Sequence, residues 1–261
     1  MPLRDAYQIG TAGAAPSEQG GDGPRRIRKT SEVVAMRIVK DIVDRGLVEG
    51  DRLPLEASMV RQYRVSRASL REALRLLEVQ GLISLRPGRG GGPAVGAAEP
   101  EHLARTATLF FHLDGTSYEE LFLAHLELEC EVSAMAADNP DRALVEALMS
   151  PFVSEVAAGD AEVKRAHLRE FHLRIADACG NRVMHLVVNT LSHIVRTHVL
   201  ASMEPVQMQT AVIAEHRQLA RAIIAGNATR AHDLTRRHFR AQLDYYRQQW
   251  ATRLARPIEW R

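Results

Sequence analysis

The sequence predicts a mainly α-helical protein, with an N-terminal winged helix-turn-helix followed by an all-α bundle of six or seven helices. Three observations predict it. Between Ser31 and Val79, three segments carry apolar residues at spacings of three and four, the period of an amphipathic helix. Two short strand-like runs then flank the turn Pro87-Gly88-Arg89-Gly90-Gly91-Gly92. From Leu103 to about Trp250 the helical period returns and persists through short breaks, with no alternating pattern to compete. The chain is rich in Leu and Ala and only 5% aromatic, a composition that favours helix.

Residues 1–25, rich in Gly, Ala, Pro and Gln, read as a flexible arm, closed by the basic cluster Arg25-Arg26-Ile27-Arg28-Lys29. That cluster can touch phosphates or simply be solvated. Ser31 is the expected cap of a first helix reaching Gly46, with Val34, Ile38, Ile42 and Val43 as its buried stripe. Leu53-Pro54 opens a second helix to about Tyr63. Ser66 caps a third, because its hydroxyl can accept from backbone N–H groups that have no intrahelical partner. Leu70, Ala73, Leu74 and Leu77 form the apolar stripe of that helix, and Gly81 stops it. Arg67, Ser69, Arg71 and Arg75 lie mostly off the stripe. A helix with a basic, small-polar N-terminal end suits the major groove of DNA, and an arginine on a glycine tip, here Gly88-Arg89, suits the minor groove.

Charge is distributed accordingly. The net charge is only +2, yet residues 25–95 hold fifteen Lys/Arg against eight Asp/Glu, while the remainder is slightly acidic. One polyanion-binding module joined to a different one produces that asymmetry. Cys130 and Cys179 have no CxxC spacing, so no disulfide framework or zinc knuckle is indicated. No 18-residue apolar run occurs and the first 24 residues lack a signal-peptide core, so a cytoplasmic protein without membrane contact is expected. The Gly88–Gly92 run lacks the Gly-Lys-Ser/Thr ending of a phosphate loop, and no His-Glu-x-x-His or Gly-x-Ser-x-Gly is present.

Several spaced motifs agree, in order, with one family. Gly50-Asp51-Arg52-Leu53-Pro54-Leu55-Glu56, Val65-Ser66-Arg67-Ala68-Ser69-Leu70-Arg71-Glu72-Ala73-Leu74, Gly81-Leu82-Ile83 and Arg86-Pro87-Gly88-Arg89-Gly90-Gly91 resemble the GntR family of bacterial transcription regulators over roughly residues 28–96. The resemblance implies that Arg67, Ser69 and Arg71 contact operator bases and phosphates and that Gly88 and Arg89 enter the minor groove. Ala57 departs from it, standing where several relatives carry a DNA-contacting Arg. Residues 97–102 read as a linker and 251–261 as a loose tail.

Between linker and tail, residues 103–250, three histidines fall on apolar stripes. His172 shares a face with Leu168, Ile175 and Cys179, and His216 with Val212, Ile213, Leu219 and Ile223. His238 lies between Leu234 and Ala241. The turn at Gly226-Asn227 places His216 and His238 at about the same depth of a helical hairpin, since each residue rises by about 1.5 Å. A buried histidine is commonly a hydrogen-bonded core residue, whereas three inward ones suit a divalent metal. Phe171-His172, Gly180-Asn181, Glu215-His216 and Gly226-Asn227 before His238 are similar to the helical effector domain of the FadR-like branch of that family, the FCD type. Many such domains hold a divalent metal with one Asp and three His. Here Leu168 stands at the Asp position, leaving three imidazoles for Zn²⁺ or Ni²⁺, or a metal-free pocket.

A second inward pair is His125 and Glu129, one turn apart; relatives often carry Arg at the His125 position. The pair is either an effector contact or a structural hydrogen bond. Arg196, in phase with His193, can grip an effector carboxylate or phosphate, or make an exposed salt bridge.

The reading is a ligand-responsive transcription factor and a repressor, not an enzyme. It acts as a homodimer on a near-palindromic double-stranded operator, with a small acidic effector such as a carboxylate or acyl-CoA in the helical domain. Two alternatives stand beside it. One is a metal-dependent hydrolase or lyase with Glu129 as candidate base, and the other a DNA-binding protein whose helical domain only dimerises.

Overall fold

The computed structural model describes residues 29–86, 88, 91–97, 99–154, 161–200 and 209–260. They fall in two compact units, Met1–His102 and Leu103–Arg261. The expected N-terminal arm and the cluster 25–28 lie outside the described residues.

The first unit contains α1 (Thr30–Asp44), α2 (Glu56–Tyr63), α3 (Arg67–Val79), β1 (Ile83–Arg86) and β2 (Gly92–Val95). Its core is Val34, Ala35 and Ile38 of α1, Met59 and Tyr63 of α2, and Leu70, Ala73, Leu74 and Leu77 of α3. Asp41 ties α1 to α2, accepting from the Tyr63 hydroxyl at 2.7 Å and from Gln62 at 2.8 Å. Ser66 caps α3 as the sequence predicts, its Oγ accepting the Ser69 N–H at 3.1 Å. Past the helix, Gly81 adopts φ 73°, and the N–H groups of Gly81 and Leu82 donate to the carbonyls of Glu78 and Leu77, both at 2.9 Å. These bonds satisfy carbonyls the helix end leaves open and turn the chain into β1. A Cβ at Gly81 would also run into the His102 ring. Strands β1 and β2 pair antiparallel, Ile83 opposite Val95 and Arg86 opposite Gly92, completing the wing.

Two expectations for α1 are corrected. Ser31 is not the cap: Lys29 holds the extended cap conformation, and Ser31 is inside the first turn and buried. Val43 is exposed, not core, because it lies nine residues after Val34 and so about half a turn round the helix from it. Ala35 takes its place.

The second unit contains α4 (Pro100–Asp114, whose first turn belongs to the preceding unit), α5 (Tyr118–Asp138), α6 (Arg142–Met149), α7 (Ala161–Ala178), α8 (Arg182–Val195), α9 (Gln209–Ile224) and α10 (Ala228–Leu254). α4 thus begins inside the expected linker 97–102, while the division between the units falls at His102, where that linker ends. A reciprocal box starts α5: Ser117 Oγ accepts the Glu120 N–H, and the Glu120 carboxylate accepts the Ser117 N–H. Asn181 and Asn227 cap α8 and α10 with their side-chain oxygens. α8 passes into a π-helical turn, Arg196–Leu200.

Two apolar clusters fill this unit. One gathers Val132, Val145, Met149, Phe171, Ile175, Leu219 and Ile223; the other gathers Phe122, Leu126, Ile194, Phe239, Leu243 and Tyr246. Residues 251–260 are not a loose tail, because Leu254 and Ile258 are buried in the second cluster. The Ile258 N–H donates to Thr116 at 2.8 Å, and Tyr118 N–H donates to Arg256 at 3.2 Å. The apolar residues here are too few and too irregularly spaced to show periodicity, yet Leu254 and Ile258 are placed inward while Trp260 is exposed.

Candidate functional site

In the first unit, α3 presents the predicted surface. Ser66, Arg67, Arg71 and Arg75 are exposed and Ser69 is half-buried. Two of the three arginines are paired within the unit: Arg71 Nε donates to Glu56 at 3.0 Å, and Arg75 to Glu78 at 2.6 Å. Arg67 is exposed and makes no ion pair or side-chain hydrogen bond among the described residues. Ser69 and Ser66 share a hydroxyl contact of 3.0 Å. Gly88 is exposed at the wing tip with φ 98°, and Arg89 lies outside the described residues.

In the second unit, the three histidines that sequence periodicity turns inward come from three helices and meet. His172 (α7), His216 (α9) and His238 (α10) have ring centroids 5.0–5.6 Å apart, and one nitrogen from each lies within 4.8 Å of the others. They sit on the seam between the apolar clusters. Phe171, of one cluster, stacks on His216 at 4.0 Å, and Phe239, of the other, meets His172 edge-on at 5.1 Å.

Carboxylates fix two of the rings. Glu129 (α5), 1% exposed, is 3.1 Å from His172 Nδ1, and Glu215 is 2.6 Å from His238 Nδ1. An ionised carboxylate only accepts, so both Nδ1 atoms carry a proton, and in the neutral form of each ring Nε2 is the lone-pair atom. His216 differs. It is 2% exposed, and neither ring nitrogen has a hydrogen-bond partner among the described residues. Burial, followed by the neighbouring positive charge of His172, His238 and His167, holds its pKa well below the ordinary histidine value. Burial also lowers His238, although the hydrogen bond to Glu215 opposes it. Burial thus favours the neutral imidazole, the form that binds metal, at His216 and His238.

The His125–Glu129 pair belongs to the same site. Glu129 Oε1 lies 3.0 Å from His125 Nε2, while its Oε2 holds His172. Burial alone would push the Glu129 carboxyl up; the His172 charge and the hydrogen bonds from His125 and His172 outweigh it and hold the carboxyl below the usual range. His125 Nε2 also contacts Ser192 Oγ at 2.8 Å. Ser192 reaches the pair, and its neighbour His193 is turned about 100° round the helix from it. His193 is half-buried with no side-chain bond among the described residues, and Arg196, at the start of the π-helical turn, makes none there either. Nothing brings these two to His125.

Leu168 is half-buried, and no carboxylate takes its place in the histidine cluster. Three residues that the sequence reading left aside lie at the site. His167, 7% exposed, stacks 5.5 Å from His216 with its Nε2 unpartnered. Glu215 and Gln242 flank His238, on Nδ1 and Nε2 respectively. Gln242 was legible as the residue one turn past His238, and Glu215 as the carboxylate beside His216.

Comparison with known proteins bears on both units. Residues 30–91 match the model of the bacterial regulatory proteins of the gntR family, and residues 120–241 match the FCD domain. RmpR of Mycobacterium gastri is 28% identical over 225 residues, covering 82% of this chain and 78% of its own. The HTH-type transcriptional regulator LutR of Bacillus subtilis (strain 168) is 23% identical over 192 residues, covering 71% and 86%. A Streptococcus agalactiae GntR structure shares the fold, with a TM-score of 0.63 at 23% identity over 82% of this chain and 99% of that one.

Proposed function

From the premise that the chain belongs to the GntR family, a DNA-binding transcriptional regulator with an FCD domain and not an enzyme, we propose that it is a metal-dependent, ligand-responsive repressor. In this reading His172, His216 and His238 hold Zn²⁺ or Ni²⁺, and a small carboxylate binds beside the metal. A homodimer places one α3 in each half of a near-palindromic operator.

One observation carries the proposal. His216 is a fully buried imidazole with both nitrogens unpartnered, flanked by two histidines whose lone pairs face the same cluster. Leaving a buried donor or acceptor unsatisfied costs about 1–3 kcal/mol, so a purely structural histidine would be hydrogen-bonded. The donor set fits a borderline metal, which favours imidazole. When bound, the metal would supply a positive charge that draws a carboxylate into the pocket. Glu129 and Glu215 orient His172 and His238 for it, the usual task of carboxylates behind metal-bound imidazoles. The same geometry weakens the hydrolase reading, because Glu129, its candidate base, is engaged by His125 and His172.

Effector control requires that the carboxylate bind the DNA-competent and DNA-free states with different affinity. The test is elemental mass spectrometry of the tagless protein beside His172→Ala and His216→Ala, followed by anisotropy on a selected operator with and without a carboxylate panel. Near-stoichiometric metal lost in both variants, with operator release by a carboxylate only in wild type, supports the reading. Absence of metal even after added Zn²⁺ or Ni²⁺ would refute the metal site. Metal without any effect of carboxylates on melting or operator binding would favour a helical domain that only dimerises.

A further inference from the structure

Gln242 lies on α10 one turn beyond His238, half-buried, with its side-chain amide 2.8 Å from His238 Nε2. Because Nδ1 of that ring donates to Glu215, Nε2 is the lone-pair atom, and the amide NH₂ donates to it. That lone pair is the one a metal held by His238 must use. The Gln242 amide therefore occupies the coordination position, and metal binding cannot leave it where it is.

We propose that Gln242 turns its amide over on metal binding and supplies, through its carbonyl oxygen, the fourth protein ligand of the three-histidine site, in the place that Leu168 leaves without a carboxylate. The inference rests on the reading of His172, His216 and His238 as metal ligands, and adds a residue to that set.

The argument is one of position and donor chemistry. An amide's oxygen and nitrogen exchange places by a half-turn about the last side-chain torsion, with little change in the space occupied. Two N or O ligands bound at about 2.0–2.2 Å to one zinc ion stand roughly 3.4 Å apart for a tetrahedral angle. The Gln242 amide stands 2.8 Å from His238 Nε2, so it must swing outward by about half an ångström or more, off the lone-pair direction, to reach that separation. It shares a helix face with His238, so no backbone shift is needed to present the oxygen. Carbonyl oxygen is a weaker donor than carboxylate and carries no charge. The metal in this chain would thus keep its full positive charge against neutral ligands, with Glu129 and Glu215 each one imidazole away.

The experiment uses the full-length tagless protein, Zn²⁺ affinity by chelator competition, and the visible spectrum of the Co²⁺-loaded form. Gln242→Ala should raise the Zn²⁺ dissociation constant by at least ~10-fold, about the loss on removing an outer-shell partner. It should also shift the Co²⁺ bands, and melting in chelator separates the cost of losing the Gln242–His238 hydrogen bond from the loss of metal. Gln242→Glu should bind as tightly as wild type or tighter, because it restores a carboxylate. An unchanged or lower dissociation constant in Gln242→Ala, with binding abolished in His216→Ala, would overturn the Gln242 assignment and leave the three-histidine site standing. Equal failure of wild type and His216→Ala to bind would remove the site itself and Gln242 with it.

Discussion

Replacing His216 with phenylalanine should make the metal-free protein more stable. The imidazole is 2% exposed and neither nitrogen is bonded. Each unsatisfied buried polar group costs about 1–3 kcal/mol, and phenylalanine has none. Its ring keeps the stack on Phe171, now 4.0 Å between centroids. The added volume returns some strain, of order 1 kcal/mol or more in a packed core. The expected net gain is therefore about 1–2 kcal/mol, or roughly 2–6 °C in melting temperature for a domain of this size.

The gain should also depend on pH. The folded His216 pKa is held well below its ordinary value, while the unfolded one is about 6.5. Above that value His216 is neutral in both states and contributes no pH dependence. Below it the unfolded chain binds the proton more readily, and wild-type stability falls as pH falls. His216→Phe removes that contribution, so its advantage should widen between pH 7 and pH 5. Urea denaturation in chelator at both pH values measures this. Adding Zn²⁺ should then reverse the order, since only wild type gains binding free energy from the metal. A His216→Phe protein less stable than wild type in chelator would refute the reasoning, because it would mean that the imidazole nitrogens have partners in solution.

Three further outcomes follow from single contacts. Arg67→Ala should weaken specific operator binding by roughly 1–3 kcal/mol with dimerisation unchanged; an equal loss on random DNA would assign Arg67 to phosphate alone. Ile258→Ala should destabilise by about 2–5 kcal/mol in urea, because Ile258 is fully buried near the C-terminus; an unchanged midpoint would restore the loose tail. Glu129→Gln should lower Zn²⁺ affinity by about 10–100-fold through the mis-set His172 tautomer; unchanged affinity would make Glu129 structural only.

Helical period made much of this legible. It marks Leu70, Ala73, Leu74 and Leu77 as the face α3 buries, and so Arg67 as a residue left to solvent. The turn at Gly226 fixes the direction of the hairpin, and that alone brings His216 and His238 level, 5.0 Å apart. Period is silent where a side chain's role depends on a helix distant in sequence. His125 and Glu129 read as an effector pair separate from the histidines, because nothing local shows that α5 lies beside α7.

That join alters the chemistry of the site. One buried carboxylate, Glu129, accepts from His125 with one oxygen and from His172 with the other. A group that displaces His125 from Glu129 removes a donor from the carboxylate that sets the His172 tautomer. If the three histidines hold a cation, as proposed, an anion drawn to His125 would be linked to the strength of that binding, and the cation in turn to the anion, since coupling between two bound species is reciprocal. Metal and effector need not touch for each to report the other, provided that Glu129 stays ionised and buried between them.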